Sequence, residues 1–148
     1  MSSVREHRRA VVTLHGEADT RAHGRRLAAT LAPDGVLLLY GEMGAGKTVL
    51  AQGVAEGLGL DPRLVQSPTF SLVHEHRGDA GSMIHVDLFR LDRSEVAALG
   101  LEELLAEHAV KVVEWAERLP FQVPGAVRLS LRKRAGEERE VEELAGSG

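Results

Sequence analysis

The chain has 148 residues, with 22 Asp+Glu against 18 Lys+Arg for a formal charge of −4, and it contains no cysteine. That length fits the roughly 100–200 residues of one domain, so a single domain over 1–148 is expected, with 145–148 frayed at its end. The missing cysteines exclude disulfides, zinc–thiolate sites, iron–sulfur clusters and a cysteine nucleophile. The negative charge and the 3% aromatic content argue against a protein that grips nucleic acid by bulk charge or base stacking. The first residues carry arginines without the apolar stretch of a signal peptide, and the longest apolar run, 36–40, is far short of a membrane span. A cytoplasmic protein without a membrane partner is expected.

Short apolar runs alternate with helical stretches, which predicts an α/β domain with a mostly parallel central sheet flanked by helices. Residues 11–14 read as a first strand. Residues 17–31 read as a helix, with Leu27 and Leu31 four apart and Pro33-Asp34-Gly35 closing it. Residues 36–40, VLLLY, form a continuous apolar run of the kind buried on both faces of a sheet. A second helix is expected over 48–58, with Leu50, Val54 and Leu58 on one side. Residues 70–74 and 83–88 read as strands paired through a connection at 76–81. A short helix follows at 101–107, then a buried strand at 110–113 and a turn at 117–120. Residues 127–134 alternate, with Val127, Leu129 and Leu131 opposite Arg128, Ser130, Arg132 and Arg134. That pattern suits an antiparallel edge strand with one wet face. Lysine occurs only at 47, 111 and 133, against fifteen arginines, which base composition accounts for.

Chemistry enters at Gly41-Glu42-Met43-Gly44-Ala45-Gly46-Lys47-Thr48, a match to G-x-x-x-x-G-K-[ST]. With this chain's composition the bare pattern arises by chance in about three of a thousand cases. The context is more telling: the match directly follows a buried strand and opens a helix. Such a loop points successive backbone N–H groups at phosphate oxygens, and glycines permit the positive φ this requires. The helix start adds free N–H groups and a positive dipole end. Lys47 would reach the β- and γ-phosphates and Thr48 would offer a hydroxyl to Mg²⁺. A P-loop also needs an acid at the end of a neighbouring strand. Asp87 after Ile84-His85-Val86 and Glu114 after Val110-Lys111-Val112-Val113 both answer that description. An N-K-x-D and an L-S-G-G-Q are both missing, which argues against a guanine-reading GTPase and an ABC transporter ATPase.

Several blocks in order resemble the TsaE family, the small P-loop ATPases of tRNA threonylcarbamoyladenosine biosynthesis. Residues 41–48, GEMGAGKT, are similar to the family's GDLGAGKT. Residues 67–73, SPTFSLV, are similar to its SPTYTLV, and 85–91, HVDLFRL, to its HFDLYRL. Glu114-Trp115 matches its EW pair, and Thr20 and Gly24 with Leu27-Ala28 its N-terminal helix. Glu42, Phe89 and Ala116 depart from the family's Asp, Tyr and Pro. The resemblance implies that the P-loop residues Glu42 to Thr48 hold the triphosphate of ATP and that Thr48 and Glu114 coordinate Mg²⁺. Asp87 becomes a second acid near the metal or water, so Lys47, Asp87 and Glu114 are the expected catalytic set. Thr20 and Trp115 would lie near the nucleotide, with Arg139 a weaker candidate. Ser67, Pro68, Thr69 and Phe70 look like a segment that answers the γ-phosphate, while His85 and Arg90 would frame the site.

The expected activity is ATP hydrolysis that is slow alone and depends on partners. The resemblance supplies those as the TsaB–TsaD complex, with threonylcarbamoyl transfer to the tRNA adenosine beside the anticodon as the reaction served. Contact with tRNA is expected only indirectly. A nucleotide-binding assembly switch with little hydrolysis and a small-molecule kinase are the alternatives.

Overall fold

The computed structural model describes residues 10–66, 72–78 and 81–144. In chain order these form β1 (Val11–His15), α1 (Glu17–Leu31), β2 (Val36–Tyr40), α2 (Lys47–Gly57), a 3-10 turn (Pro62–Leu64), β3 (Val73–Gly78) and β4 (Gly81–Asp87). Then follow α3 (Arg93–Ala97), α4 (Leu101–Leu104), β5 (Val110–Glu114), a second 3-10 turn (Ala116–Arg118), β6 (Val127–Lys133) and β7 (Glu138–Glu143). The strands make one seven-stranded sheet in the order β1-β7-β6-β2-β5-β4-β3. The centre, β6-β2-β5-β4, is parallel, and antiparallel pairs close both sides. The α/β class with its antiparallel edges is thus the one the sequence predicts. Among the described residues no helix is long and apolar enough to cross a membrane.

Alternation along the strands divides the core in two. Leu37 and Leu39 of β2 join Val110 and Val112 of β5 under α1 and α2, against Leu50, Val54 and Leu58. Leu38 and Val113 point the other way, to Leu88, Val96, Leu101 and Leu119. This is why VLLLY carries no polar position: both of its faces are covered. At the far end of β5 the Lys111 ammonium is buried and donates to the Asp34 carbonyl at 2.9 Å and to that of Glu107.

Helices α1 and α2 meet backbone to backbone. A Cβ placed on Gly53 would lie 2.1 Å from the Arg21 carbonyl oxygen, and one on Gly24 would lie 2.3 Å from that of Leu50. Further along, a Cβ on Gly57 would meet Ala28 Cβ at 2.6 Å. Glycine at these sites is required by close approach, whatever its cost in helix propensity.

Several expectations change. Strand β6 is not an edge: it pairs with β2 on one side and β7 on the other, and the edges are β1 and β3. Its alternation arises because helices cover only part of one sheet face, leaving Arg132 exposed beside the buried Leu131. Strand β7 escaped the reading because EREVEE is acid-rich and buries only Val141. Strand β3 begins at Val73 and runs through 76–78, so the hairpin closes where Gly78 and Gly81 stand in register. Residues 67–71 and 79–80, like the expected frayed end at 145–148, lie outside the described residues. The helix expected over 101–107 stops at Leu104. Helix α3 was missed although Asp92 and Glu95 form a capping box, each side chain bonding the other's backbone N–H, at 2.8 and 3.0 Å.

Replacing Gly53 with Ala should force α1 and α2 apart. A loss of about 1–3 kcal/mol is expected from overpacking against backbone, measured by urea denaturation. An unchanged midpoint would mean the two helices can separate freely.

Candidate functional site

Parallel pairing carries the C-terminal ends of β2, β5 and β4 to one edge of the sheet, where open α/β sheets bind ligands. Leu39 stands beside Glu114, and Glu114 beside Asp87, in consecutive register. The loop after β2 then turns through Gly41 (φ 139°), Gly44 (φ 81°) and Gly46 (φ 105°) into α2. Gly41 has no room for a side chain: a Cβ there would lie 2.3 Å from the Leu131 carbonyl oxygen of β6. Gly46 caps α2 in the left-handed region, so Lys47 and Thr48 fall in the first helical turn.

Lys47 is buried, and its ammonium donates to the carbonyls of Gly41 and, at 2.8 Å, Glu42. The same nitrogen lies 4.2 Å from the centre of the Trp115 ring. Burial pushes its pKa down, against the opposing pull of Glu114, Glu117, Asp87 and Glu42. Thr48 Oγ1 donates to the Glu114 carboxylate, 2.9 Å from Oε1 and 3.1 Å from Oε2. His85 meets Glu114 Oε2 from the other side through Nε2 at 2.6 Å, with both side chains buried. Asp87 Oδ1 accepts the Phe89 N–H at 2.9 Å. Burial, with the Glu114 charge adding to it, raises the Asp87 pKa, while the Phe89 N–H, His85 and Lys47 oppose the shift.

Trp115, immediately after β5, has φ 60°, a left-handed conformation unusual for a bulky residue. It turns the chain so that its ring lies under Lys47 and 5.1 Å from that of Phe89. Beyond it, Glu117 Oε2 accepts the Gly41 N–H at 3.4 Å. The last residue of β5 and the segment after it therefore touch the P-loop, through Glu114, Trp115 and Glu117.

These groups surround a cleft of about 720 Å³. Of the nucleotide-binding candidates, Thr20, Met43, Gly44, Gly46, Lys47, Thr48, Trp115 and Arg139 line it, as do Asp87, Glu114 and Arg90. Glu42 and Ala45 do not. The Glu42 carboxylate turns toward the β6 end, where its Oε1 accepts the Lys133 backbone N–H at 3.4 Å, and Ala45 is packed in the core beneath the loop. His85 sits behind Glu114 rather than in the cleft. Ser67, Pro68, Thr69 and Phe70 lie outside the described residues. Sequence reasoning missed Gly16, Glu17 and Glu137, which line the cleft, and Glu117 behind the loop; no local pattern marks any of them.

The Thr48 hydroxyl with the Glu114 and Asp87 carboxylates is a set of hard oxygen donors. Among the described residues no group of three or more acids and histidines is arranged to hold a metal by itself. Oxygen donors of this kind suit Mg²⁺, which is bound through one or two carboxylates together with substrate phosphates and water.

A family model described as threonylcarbamoyl adenosine biosynthesis protein TsaE matches residues 14–141. The tRNA threonylcarbamoyladenosine biosynthesis protein TsaE of Bacillus subtilis is 40% identical over 124 residues, 83% of this chain and 77% of that one. The protein of the same name from Nostoc is 39% identical over 105 residues, 67% of this chain and 63% of that one. Among solved structures, Bacillus subtilis YdiB superimposes with a TM-score of 0.71 at 29% identity, covering 93% of this chain and 86% of that chain.

The raised Asp87 pKa has a thermodynamic sign. The folded chain keeps the Asp87 proton at pH values where the unfolded chain has lost it, so stability falls as pH rises through that window. Asp87→Asn removes the burden yet keeps an Oδ1 for the Phe89 N–H. Without nucleotide it should melt above wild type at pH 7, the gap closing as pH falls toward about 4, the ordinary Asp range. Thermal melts at both pH values measure this, and a variant that melts below wild type at pH 7 refutes it.

Proposed function

We propose, from the premise that the chain belongs to the TsaE family of tRNA threonylcarbamoyladenosine biosynthesis proteins, that it binds and hydrolyses ATP in this cleft. In doing so it acts on a TsaB–TsaD complex that transfers threonylcarbamoyl to tRNA. The observation that carries the ATPase reading is the line Thr48–Glu114–His85, which joins the start of α2 to two parallel strands across 66 and 29 residues of sequence. The choice of partner and of the tRNA reaction rests on the family, and a cytoplasmic site of action follows from that substrate.

Phosphates meet the N–H groups of the loop and the positive end of α2. Lys47 exchanges its carbonyl partners for the β- and γ-phosphate oxygens. A lysine already tied to its own loop enters that role with little of its side-chain freedom left to lose. Thr48 and Glu114 would hold Mg²⁺, which supplies charge neutralisation at the phosphate oxygens. His85 keeps the Glu114 carboxylate turned toward Thr48. Asp87, with its raised proton affinity, accepts a hydrogen bond from the attacking water. The water oxygen bonds to the γ-phosphorus, the bridge to the β-phosphate breaks, and ADP, inorganic phosphate and a proton leave.

The test is phosphate release from ATP with Mg²⁺, with and without the TsaB–TsaD pair. We expect slow turnover alone, stimulation by the pair, and a loss of about 10²–10³-fold in Lys47→Ala. Equal rates with and without the pair would overturn the partner. Phosphate found on an organic acceptor would indicate a kinase, and tight ATP binding without release an assembly switch. Glu114→Ala should lower turnover and raise the Mg²⁺ concentration it needs; unchanged turnover in it, with loss in Asp87→Ala, would move the metal to Asp87.

A further inference from the structure

Two turns at the C-terminal edge of the sheet supply adjoining parts of the cleft wall. The one after β4 carries Phe89 and Arg90, and the one after β5 carries Trp115. One side chain ties them together. Nη1 of Arg118 donates to the carbonyl oxygens of Phe89 at 2.8 Å and Leu91 at 2.6 Å, with Leu88 at 3.3 Å. Its Cζ also lies 5.1 Å from the centre of the Trp115 ring. Two further bonds run between the same turns: Arg93 Nε donates to the Glu117 carbonyl at 3.3 Å, and the Leu88 N–H to that of Glu114 at 3.2 Å.

Phe89 and Leu91 are the two neighbours of Arg90. One cation therefore holds the carbonyl of the peptide that leads into Arg90 and that of the residue after it, through charge-assisted hydrogen bonds stronger than neutral ones. Arg90 itself is exposed and lines the cleft with Lys47, Thr48 and Asp87. Among the described residues its guanidinium has no hydrogen bond or ion pair. The remaining cleft arginine, Arg139, differs: its Nη1 donates to the carbonyls of its own turn, Gly136 and Glu138, both at 3.0 Å. A long side chain loses much rotamer freedom on ordering, and a fixed mounting lowers that loss.

We infer that Arg118 is a positioning residue for ATP turnover that acts through Arg90, fixing the backbone on both sides of it so that the Arg90 guanidinium is presented to the γ-phosphoryl group as it transfers. The inference rests on the ATPase reading and adds to it a cation supplied by this chain.

The experiment compares phosphate release and ADP binding for wild type, Arg118→Met, Arg90→Ala and the double variant, with TsaB–TsaD present. Arg118→Met should lower kcat by about 10- to 100-fold, the penalty of a misplaced catalytic group, with KM and ADP affinity changed less than about twofold. Arg90→Ala should lose about 10³-fold, the worth of an arginine at transferring phosphate. In that background Arg118→Met should cost nothing more. Arg118→Lys keeps a donor for the carbonyls and should recover part of kcat; it serves the same comparison if Arg118→Met fails to fold. Losses that multiply in the double variant, or a fall in ADP affinity that matches the fall in kcat, would overturn the inference. Wild type that releases no phosphate would sink the ATPase reading itself, and the role of Arg118 with it.

Discussion

Everything at the site hangs on the register between β4 and β5, which sets Asp87 beside Glu114 at the ends of two buried strands. Two carboxylates side by side, largely out of water, repel each other and lose hydration. The surroundings answer this unevenly. Glu114 receives the Thr48 hydroxyl and the His85 ring, whereas Asp87 receives one backbone N–H. Adjacent acids in unlike environments divide their labour, one suited to holding a cation and the other to handling a proton. Because the strands are parallel, this difference is built by residues far apart in sequence, and it cannot relax without shifting the sheet.

Much of the scaffold was legible because its signals are local. The P-loop spacing announced itself, helix α1 took the bounds that the 17–31 periodicity gave, and VLLLY is buried as its composition required. What stayed hidden was through-space. An alternating strand at the rim of helical cover reads the same as one at the rim of the sheet, so β6 was misplaced. Glu117 and Arg118 look like ordinary solvated charges in EWAER, and only the folded chain brings them to Gly41 and to the turn after β4.

The scarcity of lysine also gains a physical side. Two of the three lysines are buried, and each points a single ammonium at two converging carbonyl oxygens. A compact ammonium with three donors fits such a niche, whereas a planar guanidinium does not. In a chain whose surface cations are nearly all arginine, lysine persists where the cation must be small.

The glycine seam between α1 and α2 has a mechanical consequence. With no side chains between their backbones along Gly24, Gly53 and Gly57, the two helices have little room to slide. One carries Thr20 on the cleft wall and the other begins with the P-loop lysine. They must therefore travel as a single lever. A displacement of α2 at its phosphate end would have to carry α1 with it or open the seam at Gly24, Gly53 and Gly57.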